Sequence, residues 1–233
     1  MLTVGLTGGY ASGKSFIAAE LERLGAKLIR ADELGRAAME PGGPAYADVI
    51  REFGPEILLP DGTIDRRKLA SIVFPDEARL KRLNALVHPH VFREEQARME
   101  AFASQNESAI VVVEAAIMIE VGSWQNQGKP RYDKLVVAIC PEEMQVARAM
   151  ERDQASEAEV RARIARQMPL AEKARLADYL IDTSGTKEQT VAQTRIVWKA
   201  LRALDAGRRA ASKLASHDAS EPRIREPREI KIR

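Results

Sequence analysis

The sequence predicts an α/β protein in which helices cover both faces of a parallel sheet. Short apolar, β-branched runs alternate with helical patterns along the chain, as in strands joined by crossover helices. A glycine-rich segment, "GGYASGKS", stands between the first predicted strand and the first predicted helix. The 233 residues suffice for one such domain, or for a core with a smaller subdomain.

The first strand, "LTVGLT", runs into a segment that fits G-x-x-x-x-G-K-[ST] at Gly8, Gly13, Lys14 and Ser15. In this motif backbone N–H groups wrap a polyphosphate, the lysine reaches the β- and γ-phosphates, and the hydroxyl joins the Mg²⁺ shell. The alternative is a glycine-rich turn with a chance lysine. The strand before the loop and the helix after it favour a phosphate-binding loop (P-loop), and with it a sheet of the P-loop NTPase type.

The next elements are predicted in order. "AKLIRAD" predicts a second strand that runs to Asp32, and "ELGRAAME" predicts a short helix. From Ala45 to about Ser104 the pattern is helical, with breaks at "LPDGTID", Pro75 and Pro89. Because this stretch is too long for a simple crossover, we expect a helical subdomain over about 41–108, beside the mouth of the P-loop.

The second half of the chain returns to the core. "AIVVVEAAIMI" and "YDKLVVAIC" predict buried parallel strands. "PEEMQVARAMERD" and "SEAEVRARIARQM" predict helices, the second with Ser156 and Glu159 in capping-box spacing. "ADYLIDTSG" predicts a last strand, and "TKEQTVAQTRIVWKALRAL" an amphipathic closing helix. The predicted core is therefore 1–40 and 109–204.

The net charge of +2 is uneven along the chain. Residues 205–233 hold 8 Lys/Arg and 5 Asp/Glu, which leaves 28 basic and 29 acidic residues elsewhere. A nearly neutral body argues against nucleic-acid binding. The mixed charge and the two prolines of the final stretch predict a basic, disordered tail over 205–233, with a phosphate or RNA contact as the alternative.

Several features predict a cytoplasmic protein. No apolar run reaches 18 residues, and the chain enters a strand at once, which argues against a membrane span and a targeting peptide. Cys140 is the single cysteine, so no internal disulfide is expected. We expect a monomer with no obligate protein partner.

The P-loop is shared by GTPases, ATPases and kinases. No Asn is followed by Lys, so the guanine-binding N-K-x-D motif is absent, and a large ATPase needs a longer chain. A small-molecule kinase fits the length. The arginine-bearing helices after Pro141 then form a candidate lid, over about 148–175.

At this point the sequence resembles a known family, the dephospho-CoA kinases, from Leu2 to about Ala203. The resemblance rests on "LTGGYASGKS", "IRADELGR", "FGPEILLPDGTIDRRKLASIVF", "LNALVHPHV", "QVARAMERD", and "RIARQM" with "ADYLIDTSG". It implies a phosphotransferase with an alcohol group as acceptor. The γ-phosphate of ATP, with Mg²⁺, would go to the ribose 3′-hydroxyl of dephospho-CoA in the final step of coenzyme A synthesis.

The resemblance implies an acceptor site. Asp32 would orient the hydroxyl and accept its proton, with a helix N-cap as the alternative. Arg36 matches an arginine near the acceptor, with a solvated helix charge as the alternative. His88 matches the family's H-P on the CoA side, with a core or turn histidine as the alternative. Asp65 and Arg66 would shape the acceptor pocket, or form a turn and a surface pair.

The resemblance also implies an ATP site. Arg148 and Arg152 share a helix face, and Arg148 matches the lid arginine that neutralises phosphate charge; the alternative is a solvated basic face. Gln167 and Lys173 are further lid candidates. The predicted catalytic residues are Asp32, Lys14 and Arg148. The predicted ATP-binding residues are Gly9, Tyr10, Ala11, Ser12, Gly13, Lys14, Ser15, Phe16 and Arg148.

For the metal, the predicted ligands of Mg²⁺ are the Ser15 hydroxyl and, through water, Glu114, whose alternative is a strand-end acid in a salt bridge. The sequence departs from the family pattern at three positions. Arg30 replaces the first Asp of D-A-D, Phe16 replaces a Thr, and Ala116 replaces a proline.

Two rival interpretations remain at the level of sequence. One is another P-loop kinase, acting on a nucleoside, shikimate or gluconate, which would not require "DGTIDR" and "HPHV". The other is a nucleotide-binding regulator without turnover, motivated by Arg30 and Phe16.

The polar loop from Gly122 to Tyr132 is longer than usual for the family.

Overall fold

The computed structural model describes residues 1–105, 108–120, 122, 125–126 and 129–218. Its strands are β1 (Leu2–Gly8), β2 (Lys27–Arg30), β3 (Ile110–Glu114), β4 (Gln125–Asn126), β5 (Lys129–Pro130), β6 (Lys134–Ile139) and β7 (Tyr179–Asp182). Five parallel strands form the central sheet in the order β2-β3-β1-β6-β7, and the short strands β4 and β5 form an antiparallel pair. The predicted parallel sheet is therefore confirmed.

Helices cover both faces of this sheet. They are α1 (Lys14–Arg23), α2 (Ala31–Ala38), α3 (Tyr46–Phe53), α4 (Arg66–Val73), α5 (Glu77–Gln105), α6 (Glu142–Asp153), α7 (Glu157–Ile164), α8 (Leu170–Arg175) and α9 (Lys187–Asp218). Alternate residues of β3 point to opposite layers. Val112 packs with α1 and α9, whereas Val111 and Val113 pack with α2–α5. A strand buried on both faces explains the unbroken β-branched run in the sequence.

The register aligns the functional ends of the strands. β1 pairs with β3 from Leu2↔Ile110 to Leu6↔Glu114, and β2 pairs with β3 as far as Arg30↔Glu114. The carboxyl ends of parallel strands lie at one edge of a sheet, where α/β proteins bind ligands. The P-loop, the start of α2 and Glu114 therefore meet at that edge.

The second strand is shorter than predicted. β2 ends at Arg30, and Asp32 is the second residue of α2. Arg30 occupies the N-cap position, without a side-chain capping bond, so the N-cap alternative for Asp32 is wrong. The helix begins early because Ala31 and Asp32 suit a first turn, where a carboxylate meets the positive end of the helix dipole.

Pro89 does not break its helix, contrary to the sequence prediction. α5 runs without interruption from Glu77 to Gln105 with Pro89 inside it. The proline removes one backbone hydrogen bond. Burial of Val87, Val91 and Met99 in the layer formed with α2–α4 offsets that loss.

The predicted disordered tail is also wrong in its first half. α9 continues through 205–218, and 219–233 lie outside the described residues. The extension is docked on the body: Arg208 pairs with Asp133 at 2.7 Å, and Arg209 donates to the Ser108 hydroxyl at 2.7 Å.

The capping box predicted from Ser156 and Glu159 is confirmed at the start of α7. In the described part of the chain, no helix is both long and apolar enough to span a bilayer.

Candidate active site

The P-loop joins β1 to α1 with two glycines in demanding positions. Gly13 caps α1 with φ 86°, a left-handed conformation that glycine adopts without strain. A Cβ on Gly8 would stand 2.5 Å from the Ala138 carbonyl oxygen, closer than van der Waals contact allows. The motif glycines are therefore required by backbone shape, and the loop can turn its N–H groups inward.

A cavity of about 210 Å³ opens at the start of α1. Its lining residues are Ala11, Ser12, Gly13, Lys14, Ser15, Phe16, Arg148 and Arg152. Most of the predicted ATP-binding residues thus surround one space. This arrangement of an inward loop, a lysine and two arginines suits a polyphosphate.

Lys14 is held at the floor of this cavity. Its Nζ donates to the Gly9 carbonyl oxygen at 2.8 Å, and only 9% of the residue is exposed. Burial, reinforced by the nearby Lys173 cation, lowers the pKa of Lys14 to about 8, while Glu114 and Asp32 oppose that shift. The residue therefore lies within electrostatic reach of both predicted carboxylates.

Arg148 enters the cavity from α6 and is fixed by the end of β7. Its guanidinium donates to the Thr183 carbonyl oxygen at 2.6 Å and to the Thr183 hydroxyl at 3.1 Å. That hydroxyl in turn donates to the Ser12 carbonyl oxygen at 2.9 Å. The arginine, the last strand and the P-loop are therefore linked in one network.

Tyr10 lies outside the cavity lining, although sequence analysis assigned it to ATP binding. Its hydroxyl donates to the Asp153 carboxylate and accepts from Arg163 at 2.7 Å. The Arg152 guanidinium stands 5.1 Å from the centre of its ring, a cation–π distance. Tyr10 thus connects the P-loop to α6 and α7 and positions Arg152 beside the cavity.

Lys173 is not a surface lid residue but is fully buried. Its Nζ pairs with Glu120 at 2.6 Å and donates to the Ala116 carbonyl oxygen at 3.0 Å. The Gly8 carbonyl oxygen lies 3.4 Å away. Lys173 therefore ties α8 to the back of the P-loop and to the segment after β3.

The predicted metal residues contact each other. The Ser15 hydroxyl donates to Glu114 Oε1 at 2.8 Å. Arg30 approaches the other oxygen, Oε2, at 4.0 Å and pairs with Glu22 at 3.2 Å. Arg30, which departs from the family pattern, thus stands beside Glu114 as a paired cation.

A second cavity, of about 330 Å³, lies between α2, α5 and the segment after β3. Its lining residues are Ala31, Asp32, Gly35, Arg36, Met39, Val87, His88, Val91, Phe92, Glu95, Ala115, Ile117 and Met118. Three predicted acceptor residues, Asp32, Arg36 and His88, meet here. Burial lowers the pKa of His88, which favours its neutral imidazole.

The other two predicted acceptor residues do not line this cavity. Asp65 caps α4 by accepting from the backbone N–H groups of Arg67 and Lys68 at 2.9 and 3.1 Å. Arg66 pairs with Glu40. These contacts correspond to the alternatives of a turn and a surface pair.

Glu95 was missed by sequence analysis, although it lines the second cavity and is 2% exposed. Val87, Val91, Glu95 and Met99 recur every four residues on the buried face of α5. A carboxylate in such a stripe is expensive to bury without a partner. That signal is visible in the sequence and could have identified Glu95.

Comparisons with known proteins agree with this geometry. The family model described as dephospho-CoA kinase matches residues 2–189. Dephospho-CoA kinase of Geobacter metallireducens is 45% identical over 199 residues, which cover 85% of this chain and 96% of that protein. The corresponding protein of Geobacillus kaustophilus is 43% identical over 206 residues, covering 88% of this chain and 98% of that protein.

Solved structures agree as well. A crystal structure from Thermus thermophilus is 33% identical, with a TM-score of 0.73, and covers 85% of this chain and 96% of that one. Dephospho-CoA kinase from Campylobacter jejuni, at 23% identity and a TM-score of 0.55, has the same fold. The family model spans both cavities and the sheet edge between them, so this chain belongs to the dephospho-CoA kinase family.

Proposed function

We propose that this chain transfers the γ-phosphate of ATP to the ribose 3′-hydroxyl of dephospho-CoA, giving coenzyme A and ADP. The observation that carries the proposal is the pair of cavities at one sheet edge. A cationic cavity suited to a polyphosphate lies beside a larger, mainly apolar one that carries a carboxylate. Lys14 is influenced by Asp32 of the second cavity, so donor and acceptor groups would lie side by side.

On the ATP side, the P-loop backbone cradles the phosphates and Lys14 bonds them. Lys14 exchanges its contact with the Gly9 carbonyl for phosphate oxygens, which are stronger, charge-assisted acceptors. Arg148 and Arg152 neutralise the charge that spreads over the transferring group. The network through Thr183 holds Arg148 ready, so little reorganisation is needed.

Magnesium belongs to this proposal, and the residues at the start of α1 and the end of β3 suit it. Ser15 and Glu114 offer a hydroxyl and a carboxylate in contact at 2.8 Å, the hard oxygen donors that Mg²⁺ prefers. Among the described residues no group of three His, Cys, Asp or Glu could hold a metal by itself. This fits an ion that is held mainly by nucleotide phosphates and water. Bound there, Mg²⁺ would neutralise phosphate charge.

On the acceptor side, Asp32 is the general base. Among the described residues its side chain has no hydrogen-bond or ion-pair partner, so its oxygens are available to the acceptor hydroxyl. It orients the ribose 3′-hydroxyl toward the γ-phosphate and accepts the proton. Arg36 and the neutral His88 bind the remaining polar groups of the acceptor.

The helical regions have separate tasks in this proposal. The segment 41–108 forms the acceptor side, and 148–175 forms a lid that brings the arginines over ATP. We further propose a cytoplasmic monomer whose partners are ATP and dephospho-CoA, without nucleic acid or membrane. Sedimentation of the purified chain with and without both substrates tests the oligomeric state.

The deciding experiment measures ADP release with Mg²⁺-ATP, with and without dephospho-CoA, and weighs the product by mass spectrometry. We expect dephospho-CoA-dependent ADP and a product heavier by one phosphate. Shikimate, gluconate and a nucleoside serve as competing acceptors. ATP binding without turnover would favour the regulator, and turnover of another acceptor would favour a different P-loop kinase.

A further inference from the structure

Glu95, which lines the acceptor cavity, belongs to a buried ion pair that the proposed chemistry does not use. Glu95 of α5 stands 2.9 Å from the guanidinium of Arg131, measured from Oε2. The two side chains are 2% and 14% exposed. Removing two charges from water is expensive, so the arrangement calls for an explanation beyond stability.

Arg131 comes from the end of the polar loop that is longer than usual for the family. Its guanidinium lies 5.0 Å from the ring centre of Phe92 and 5.8 Å from that of Tyr132. It also donates to the Phe92 carbonyl oxygen at 3.4 Å. These contacts fix the guanidinium, and through it the Glu95 carboxylate, in one orientation.

The carboxylate is only partly satisfied by these neighbours. Arg131 stands 2.9 Å from Oε2 as an ion pair, but neither that oxygen nor the Tyr132 hydroxyl has a hydrogen bond of good geometry within the part of the chain described here. Burial raises the pKa of Glu95, while Arg131 and the nearby Tyr132 hydroxyl oppose that rise. Buried polar atoms of native proteins normally have partners, so a donor supplied by a ligand would complete the site.

The walls of the cavity indicate the shape of that ligand. Besides Glu95 they include the apolar or aromatic side chains of Met39, Val91, Phe92 and Met118. Asp32 and Arg36 line the same cavity and are exposed. A flat group with apolar faces and a polar edge, attached to a ribose, suits such a lining. A carboxylate only accepts hydrogen bonds, so that edge must carry an N–H donor.

We propose that Glu95 determines acceptor specificity by accepting a hydrogen bond from the exocyclic 6-amino group of the acceptor's adenine. Arg131 is the positioning residue that holds the carboxylate. The inference rests on the proposed function, since it assumes that the ribose of the same adenosine lies at Asp32. The ion pair then has a functional role, because it keeps a charged acceptor in an apolar cavity.

The test compares dephospho-CoA with an analogue in which hydrogen replaces the 6-amino group. We expect kcat/KM of the unaltered enzyme to be lower for the analogue by about 100-fold, since a site built to bond a donor rejects a substrate that lacks it. The KM for ATP stays unchanged. If kcat/KM for the two acceptors agrees within about threefold, a spread typical of a lost weak contact, the inference is overturned.

A pair of matched variants sharpens the result. In Glu95→Gln the amide can donate to ring N1 of the analogue, so the preference for adenine should shrink to about tenfold or less. Glu94→Gln, one residue away and paired with Arg98 on the surface, should keep the full preference. An unchanged preference in a folded Glu95→Gln enzyme, as judged by its KM for ATP, contradicts the proposal and leaves Glu95–Arg131 a structural pair.

The experiment also separates this inference from the proposed function. If the unaltered protein does not phosphorylate dephospho-CoA, the proposed function fails, and the inference fails with it. If it phosphorylates both acceptors equally, only the inference fails. The comparison in the unaltered enzyme does not depend on whether any variant folds.

Discussion

The two cavities of the site are built in different ways. The phosphate cavity is formed by six consecutive residues, 11–16, and two arginines one helical turn apart. The acceptor cavity combines α2, the middle of α5 and the segment after β3, which are far apart in the sequence. The phosphate cavity depends on backbone shape and can be recognised in the sequence as a motif. The second depends on side chains that packing brings together, so its members are not evident from local patterns.

We expect the largest effect at Arg148, which lines the phosphate cavity and, in the proposed mechanism, would stabilise the transition state. In Arg148→Met the charge on the transferring phosphate is no longer neutralised, so kcat should fall by about 10³-fold or more. Arg161→Met is the control, because Arg161 pairs with surface glutamates outside either cavity. Steady-state kinetics with both variants checks the prediction. A loss below tenfold in Arg148→Met would assign this arginine to the Thr183 network alone.

Asp32 lines the acceptor cavity within electrostatic reach of Lys14 in the phosphate cavity, and it should give the next largest effect. Asp32→Asn keeps the shape but removes the base, so kcat should fall by about 10²-fold, within the range of general-base catalysis. The thermal midpoint should fall only slightly, because the variant loses the interaction of the carboxylate with the start of α2, worth about 0.3–1 kcal/mol, and no hydrogen bond to a described residue. Glu33→Gln, the adjacent exposed acid, is the control. Equal kcat in the two variants would exclude Asp32 as the base.

The lowered pKa of Lys14 predicts that kcat/KM for ATP, which depends on the phosphate cavity, varies with pH. Its pKa is lowered to about 8, so the cation that binds phosphate is lost as the pH rises above that value. We expect kcat/KM for ATP, which reports the enzyme form that ATP binds, to fall by about tenfold per pH unit on the alkaline side. A pH series from 6 to about 10 at saturating dephospho-CoA measures it. A flat profile to pH 10 would show that Lys14 stays charged.

The smallest effect is expected at Asp65, where the measurement distinguishes a helix cap from a residue that binds the acceptor. Asp65→Ala removes the bonds to two backbone N–H groups of α4 and should cost about 1 kcal/mol of unfolding free energy. The KM for dephospho-CoA should stay unchanged, because Asp65 does not line the acceptor cavity. Urea unfolding and acceptor titration measure the two quantities. Asp65→Asn, which retains a capping oxygen, should recover most of the stability.

The sequence-based predictions divide in the same way. The P-loop fold and the parallel strands were predicted correctly because short-range chemistry and periodicity specify them. The predictions for Pro89 and for the start of the tail were wrong. In both places long-range packing outweighs local signals: α5 is buried against its neighbours, and Arg208 docks α9 on Asp133.

By itself, the sequence determined the fold class, the P-loop and its lysine, and the resemblance to one kinase family. These features depend on backbone geometry and on residues close together in the chain. Only the tertiary structure decided that Asp65 caps a helix, that Tyr10 positions Arg152, and that Glu95 meets Arg131 beside the acceptor cavity. Such contacts cannot be predicted from the spacing of the residues along the chain, because the contacts form only when the helices pack on the sheet.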